Sequence, residues 1–174
     1  MLVVLLGTGC TGLQGPGRRV VTDVGYGTRA GGAVGAFQYR PDEAGYWGAM
    51  NVKYDGGAAG TDYTGVLPPG GFPGDERVGT SEHLLGLGAG ATYQPHERIG
   101  LHAGISLQLA TTYFEYYDPT LILDPSGRYH VRAAEDVLFG LVLGTHLLLT
   151  PELSLGARYD SALESGVFSL GFSF

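Results

Sequence analysis

The sequence predicts an all-β fold, an eight-stranded antiparallel up-and-down β-barrel that crosses a membrane. Apolar residues alternate with small or polar ones along most of the chain, eight segments show this alternation, and the connections between them differ in length on the two sides. The chain of 174 residues contains 31 Gly and only 16% charged residues, which is unlike an ordinary soluble domain. Its length fits one compact unit.

The first element is a leader-like segment, residues 1–19, which precedes a barrel domain over residues 20–174. A short apolar run leads into small residues and then Cys10, as in the apolar and cleavage regions of a bacterial secretion signal. The segment resembles a lipoprotein signal, in which the Cys becomes the acylated first residue of the mature chain. We therefore expect export with lipidation at Cys10; the alternatives are a non-lipidated signal that is cut elsewhere and an N-terminus that is merely apolar. Residues 11–19, with Pro16 and several Gly, predict a flexible tether.

The strands are predicted from a hydrophobic period of two, because successive side chains of a strand point to opposite faces. In residues 99–109, Ile, Leu and Ala occupy one face, and Gly, His, Ser and Gln occupy the other. Gly at every second position would also weaken a helix by roughly 1 kcal/mol per residue. The eight predicted strands cover residues 21–29, 33–40, 46–55, 84–94, 98–110, 136–149, 153–162 and 166–174.

The connections alternate in length. With the N-terminus in the periplasm, the connections 41–45, 95–97 and 150–152 are periplasmic and tight, whereas the long connections 56–83 and 111–135 are external. An even strand count with short periplasmic turns is typical of transmembrane barrels, because lipid tolerates no unpaired strand edge. We expect residues 56–83 to lack regular structure. The aromatic residues of 111–135 predict either packing between the loops or a surface for a partner.

The two faces of the strands predict which solvent each one meets. The Leu, Ile and Ala face is too apolar for water and is assigned to lipid, while the Gly- and Ser-rich face fits the narrow interior of an eight-stranded barrel. Tyrosines near the strand ends predict two aromatic girdles at the membrane surfaces. The periplasmic girdle contains Tyr39, Tyr46, Tyr93 and Phe174, and the outer girdle contains Tyr26, Tyr54, Tyr113 and Tyr159.

The C-terminal strand carries the most specific motif of the chain. Phe168, Leu170, Phe172 and Phe174 share one face, and the chain ends on an aromatic residue. This resembles the assembly signal that the barrel assembly machinery reads in bacterial outer-membrane barrels. Together with eight strands over residues 20–174, the resemblance is to the small OmpA-like and OmpW-like barrels, which implies a location in the bacterial outer membrane. Members of this group include anchors, adhesins, small-solute channels and enzymes, so the fold does not fix the function.

Charged and polar residues on the small-residue face are the candidate site. The strand phase assigns eight of them to the lumen: Asp23, Arg29, Asn51, Lys53, His102, His146, Arg158 and Asp160. Because an unpaired charge in a narrow lumen costs several kcal/mol, we interpret them as a network of ion pairs and hydrogen bonds that plugs the barrel. The alternative is a narrow polar path or a gated site for a small solute.

The remaining composition excludes several classes of function. A net charge of −7 argues against nucleic acid as a partner, and the single Cys excludes an internal disulfide or a Cys-based zinc site. We predict no cofactor and no metal site, and the expected partners are outer-membrane lipid and the assembly machinery; the partner of the external loops is left open.

Enzyme activity is not expected. Barrel enzymes such as the lipid A deacylases carry His-x-Ser, and none of the five His has Ser two positions later. Ser81, Glu82 and His83 are the nearest approach to a hydrolytic cluster, but neighbours in sequence do not face one another on a strand. The predicted function is therefore a structural, adhesive or small-solute role. A lipid-modifying enzyme and a soluble β-barrel that binds a ligand are the alternatives.

Overall fold

The structure, a computed structural model, describes residues 18–173; the predictions made for residues 1–17, including Cys10, and for Phe174 lie outside this range. Within it the chain forms nine β-strands and no α-helix. They are β1 (Arg19–Gly27), β2 (Gly31–Tyr39), β3 (Gly45–Tyr54), β4 (Thr61–Asp62), β5 (Glu76–His96), β6 (Ile99–Tyr117), β7 (Arg128–Leu148), β8 (Leu153–Asp160) and β9 (Ser165–Ser173). In the described range no helix is long and apolar enough to cross a membrane.

Eight of these strands close into a barrel. Each pairs antiparallel with the next, β3 pairs with β5, and the last strand β9 pairs with the first strand β1. The two-residue strand β4 lies outside the barrel wall and pairs in parallel with the external end of β7. The predicted eight-stranded antiparallel barrel is therefore confirmed.

The register of the strands sets the tilt of the barrel. Following paired residues from Tyr26 through β2, β3, β5 and β6 leads to Val137 on β7, whereas the route through β9 and β8 leads to Thr145. The offset between these two positions is the shear of the barrel, and with eight strands it corresponds to a tilt of about 36°. Each residue then rises about 2.7 Å along the barrel axis, so a nine-residue strand spans about 24 Å. This matches an apolar band about 25 Å tall.

The faces of the strands point as the alternation predicts. Ile105, Leu141 and Phe139 are 66%, 66% and 78% exposed on the outer wall, while Ser106 on the next position of β6 is buried inside. The described aromatic and Leu residues of the C-terminal motif, Phe168, Leu170 and Phe172, also face outward. An outer wall of large apolar side chains is the arrangement of a barrel in lipid.

Gly90 on β5 and Gly104 on β6 let the barrel wall close tightly. A Cβ on Gly90 would overlap the carbonyl oxygen of Ala103, and one on Gly104 would overlap that of Ala89. Gly48 on β3 faces outward, and a Cβ there would meet only ordinary contacts. The Gly content therefore has different roles at different positions.

Three strands are much longer than the alternation predicts. β5 and β7 have 21 residues each and β6 has 19, against eight to ten for the other barrel strands. β3 ends where Tyr54 pairs with His83, so residues 76–82 of β5 continue past it, together with the matching parts of β6 and β7. The prediction that residues 56–83 lack regular structure is therefore wrong for residues 76–83, which belong to β5. The external β6–β7 loop is also shorter than predicted and covers only residues 118–127. Backbone pairing among three strands extends the sheet about 19 Å beyond the barrel rim.

Candidate functional site

Aromatic side chains fill much of the lumen. Phe37 and Tyr39 on β2 and Trp47 on β3 all face inward and are at most 4% exposed. The rings of Phe37 and Trp47 stack with centroids 5.7 Å apart, and the Trp47 indole N–H donates to the carbonyl oxygen of Ala103 at 3.0 Å. The placement of Tyr39 in a membrane girdle is therefore wrong, because its strand phase turns the ring into the barrel.

One polar cluster joins four strands inside the barrel. His146 on β7 lies between two partners, with Nδ1 2.8 Å from the Tyr39 hydroxyl and Nε2 3.1 Å from Oδ2 of Asp23. The Ser169 hydroxyl on β9 donates to the same Asp23 oxygen at 2.6 Å. Asp23 and His146 are 5% and 0% exposed, so these contacts are shielded from water. We refer to Asp23, Tyr39, His146 and Ser169 as the His146 cluster.

A second cluster is centred on Asp160 at the end of β8. Its carboxylate accepts from the Ser106 hydroxyl at 2.8 Å, the Gln108 amide at 2.7 Å and the Ala162 backbone N–H at 2.9 Å. Asn51 extends the chain by donating to Oε1 of Gln108 at 3.1 Å. The carboxylate is thus well supplied with donors, which is the condition for a stable buried charge.

The other candidate residues lie at different levels. Lys53 is at the external mouth, where its ammonium is 3.1 Å from carboxylate oxygens of both Asp55 and Glu82. Arg158 on β8 is half-buried and shares its strand face with the buried Gly156 and Asp160. The ring of His102 packs 4.7 Å from that of Phe37, and neither ring nitrogen has a hydrogen-bond partner in the described part of the chain.

Arg29 does not join the lumen network. It lies in the exposed β1–β2 turn, and its guanidinium donates to the carbonyl oxygen of Leu163 at 3.2 Å. The strand phase that assigned it to the lumen ends at Gly27, where β1 stops. Arg29 therefore ties two external turns together instead.

Ser106 and Gln108 lie on the face predicted for them but were not predicted as site residues. Phe37, Trp47 and Ser169 were not predicted to face the lumen. Phe37 pairs with the inward-facing Val21, Trp47 shares a strand face with Asn51, and Ser169 shares one with Gly171. The period of two could therefore have indicated all three, but small residues on both faces of these strands obscure it.

Among residues 18–173 the side chains of the lumen form no arrangement for nucleophilic catalysis. In a Ser–His–Asp triad the His bridges the Ser and the acid, whereas here Ser169 donates to Asp23 and His146 contacts Tyr39. The neighbours Ser81, Glu82 and His83 also diverge, because Glu82 pairs with Lys53 and the His83 ring stacks on Tyr54. Among the described residues no group of three or more His, Cys, Asp or Glu could hold a metal ion.

The extended part of β5, β6 and β7 has a core of its own. Tyr116, Tyr129 and Val131 are buried at its centre, with the rings of Tyr116 and Tyr129 stacked at 5.4 Å. The β3–β5 loop lies on this core, since the Tyr116 hydroxyl donates to the carbonyl oxygen of Pro69 and the Phe72 N–H donates to the Tyr129 hydroxyl. The loop is therefore packed against the sheet. We call residues 55–83 and 111–136 together the external platform.

Carboxylates organise the loops of the external platform. Asp118 accepts from the hydroxyl and N–H of Thr120 and from the N–H groups of Ile122 and Leu123, and these bonds hold its pKa below the usual range. Hydrogen bonds to Asp124 from Ser126 and from Thr61 of the neighbouring loop lower the pKa of Asp124 to about 2. Both groups are therefore ionised at neutral pH.

Tyr129 links the sheet to the β3–β5 loop. Its hydroxyl donates to Oδ2 of Asp75 at 2.8 Å. Burial of the ring, supported by the neighbouring Asp75 charge, raises the pKa of Tyr129 to about 12 although the Phe72 N–H opposes this. The phenol therefore remains a donor at physiological pH.

The external platform carries a net charge equal to that of the whole chain. It contains ten acidic and three basic residues, a net charge of −7, and the complete sequence also has −7. The acidic residues are Asp55, Asp62, Asp75, Glu76, Glu82, Glu115, Asp118, Asp124, Glu135 and Asp136, and the basic residues are Arg77, Arg128 and Arg132.

Comparison with solved structures places this fold among known barrels. The crystal structure of Ail, the attachment invasion locus protein of Yersinia pestis, is similar over 90% of this chain and 96% of that one, with a TM-score of 0.53 and 11% identity. Ail in a phospholipid bilayer nanodisc gives a TM-score of 0.51 at 12% identity, with 91% and 98% covered. Neisserial surface protein A matches over 90% and 94% with a TM-score of 0.42 and 15% identity.

No protein-family model matches the sequence, and no curated protein matches it. The similarity to Ail is thus one of fold. The chain has the fold of small bacterial outer-membrane β-barrels, and its apolar outer wall agrees with the predicted location in the bacterial outer membrane.

Proposed function

We propose that this chain is a non-enzymatic outer-membrane barrel whose lumen is closed and whose function is to hold the external platform above the membrane for contact with a partner. The observation that carries the proposal is the length of β5, β6 and β7, which extend about 19 Å past the rim and support two loops on a buried aromatic core. A role confined to the membrane would not need this extension.

Burial of the lumen residues supports a closed barrel. Phe37, Gln108, Val142 and His146 are each no more than 2% exposed, and they come from three different strands, β2, β6 and β7. A water-filled channel would leave the residues along its wall accessible. The polar lumen network is therefore best explained as the filling of the barrel, and a path for a solute would have to displace it.

The hydrogen-bonded packing of the external platform supports an adhesive role in particular. Its loops are fixed by hydrogen bonds to Asp118 and Asp124 and by contacts to Tyr116 and Tyr129. A binding surface that is already ordered loses less entropy when a partner binds. Ail, whose fold is similar, is described as an attachment invasion locus protein, and an attachment role fits the same architecture here.

The proposal is tested on cells that display the protein. Both external loops, residues 56–75 and 118–127, are replaced by short Gly-Ser turns, and adherence to cultured epithelial cells is compared with that of the parent at equal outer-membrane level. We expect adherence to fall with the shortened loops, while planar bilayers containing the parent show no conductance steps. Conductance steps in the parent, or unchanged adherence without the loops, would overturn the proposal.

A further inference from the structure

The two long loops of the external platform form a cleft of about 260 Å³ between them. One wall is Phe72, Pro73 and Asp75 of the β3–β5 loop, and the other is Asp118, Thr120, Ile122 and Leu123 of the β6–β7 loop. Ile122 is 82% exposed and Phe72 is 43% exposed, so large apolar side chains rim the cleft on both sides. We refer to it as the loop cleft.

The walls of the loop cleft are held in place. Thr61 of one loop donates to Asp124 of the other, and the Tyr63 hydroxyl donates to the carbonyl oxygen of Leu123 at 2.8 Å. Asp75 is fixed by the hydroxyl of Tyr129 beneath it. The exposed apolar rim is therefore presented on an ordered frame.

The charge around the loop cleft has one sign. Its lining includes two carboxylates, Asp75 and Asp118, and no basic side chain. Arg77 on β5, two positions after Asp75, is directed elsewhere, since its guanidinium carbon lies 3.4 Å from the centre of the Phe114 ring and its Nη2 donates to Thr80. The loop cleft is thus part of a region, the external platform, whose net charge is negative.

We propose that the loop cleft binds an extended segment of a partner polypeptide in which basic and apolar side chains alternate. The apolar side chains would cover Phe72 and Ile122, and a guanidinium or ammonium group would lie against the Asp75 carboxylate. A carboxylate beside an apolar wall favours a cation over an anion, and the surrounding negative field steers such a segment toward the cleft. This deepens the proposed function, on which it rests, by stating the chemistry of the partner.

A direct binding measurement tests the proposal. The full chain is placed in phosphatidylcholine nanodiscs and titrated into a fluorescent peptide in which Leu and Arg alternate, with empty nanodiscs as the blank. Peptides with Glu in place of Arg and with Ser in place of Leu are the matched probes. We expect the Leu–Arg peptide to bind at least tenfold more tightly than either, and its affinity to fall as salt is added.

Two variants locate the binding in the cleft. Asp75→Asn removes the charge but keeps an acceptor for Tyr129, and Ile122→Ser removes an exposed apolar side chain; each should weaken binding at least threefold. Glu135→Gln and Val66→Ser, an acid and an exposed apolar residue outside the cleft lining, should change it less than twofold. Heat-dependent gel mobility checks that all four variants retain the barrel.

The following results would overturn the proposal: equal binding of the Leu–Glu peptide, an effect of Glu135→Gln as large as that of Asp75→Asn, or self-association of the protein with no peptide binding. The last would assign the cleft to a second copy. If the cleft variants leave adherence unchanged while loop replacement abolishes it, the proposed function stands and only this partner chemistry fails.

Discussion

Replacing Ile105 with Arg measures whether the outer wall meets lipid at mid-depth. Ile105 is 66% exposed on β6 and pairs with Ala89 on one side and Leu141 on the other, so its neighbours are also apolar. It lies midway between Ile99, where β6 begins, and Thr111, where the extension begins, which places it about 16 Å along the axis from each.

The expected magnitude follows from this depth. An Arg on the lipid face costs about 2 to 4 kcal/mol at the midplane of the bilayer and about 0 to 1 kcal/mol near the interface. Ile105→Arg should therefore lower the free energy of unfolding by about 2 to 4 kcal/mol. Thr111→Arg on the same face and strand is the matched control and should cost no more than about 1 kcal/mol.

The assay is urea unfolding in phospholipid vesicles, followed by tryptophan fluorescence. Trp47 is the only Trp of the chain and is 4% exposed inside the barrel, so its emission reports loss of the lumen packing. Ser106→Arg, one position along, would act through crowding at Asp160 and not through lipid. Equal stability of Ile105→Arg and the parent would refute the assignment of this face to the bilayer.

Four further predictions address the interior, the wall, the loops and the C-terminus. Asp160→Ala should lower the unfolding free energy by roughly 3 kcal/mol or more in the same assay, because three donors lose their acceptor; an effect below about 1 kcal/mol would show that water replaces the carboxylate. Gly90→Ala should lower the unfolding free energy by about 1 to 3 kcal/mol, because the added methyl group overlaps the neighbouring strand. Gly48→Ala on the outer face should leave it unchanged within about 0.5 kcal/mol. Equal effects of the two substitutions would contradict the packing described. The lowered pKa of Asp124 contributes stability that is complete above pH 3.8 and is lost as the pH falls toward about 2. Amide exchange in the two loops should therefore accelerate over that pH range. If exchange in Asp124→Asn still accelerates in the same way, another group is responsible. Deleting Phe174 should sharply lower the outer-membrane level in cells while leaving refolding into detergent nearly intact, because one interfacial side chain contributes only about 1 to 3 kcal/mol; normal surface levels would count against its role as an assembly signal.

The strands of the barrel could be predicted because lipid and lumen impose opposite chemistry on alternate residues. In β6 the alternation of Ile or Leu with Gly, Ser or Gln fixes both the strand and its face, and the structure agrees at Ile105 and Ser106. Where both faces are small or apolar, the phase carries less information. β2 is such a strand, and the inward direction of Tyr39 follows only from its register beside β1.

The external extension could not be predicted by the same reasoning. Beyond Thr111 neither face of β6 meets lipid, and residues such as Phe114 and Tyr116 pack against loop residues distant in sequence. Without the lipid and lumen environments the period of two becomes weak, and strand and loop look alike. The partners of Asp23 and Asp160 were hidden for a related reason, since hydrogen bonds across a lumen depend on three-dimensional closure.

The His146 cluster also bears on the order of events in folding. It joins Asp23 on the first strand to Ser169 on the last, so it can form only when the two ends of the chain meet. Neighbouring hairpins need no such long-range encounter, and loop closure between distant segments is what slows β-rich proteins. We therefore expect the cluster to form late in folding, so that its removal accelerates opening of the barrel far more than it slows assembly.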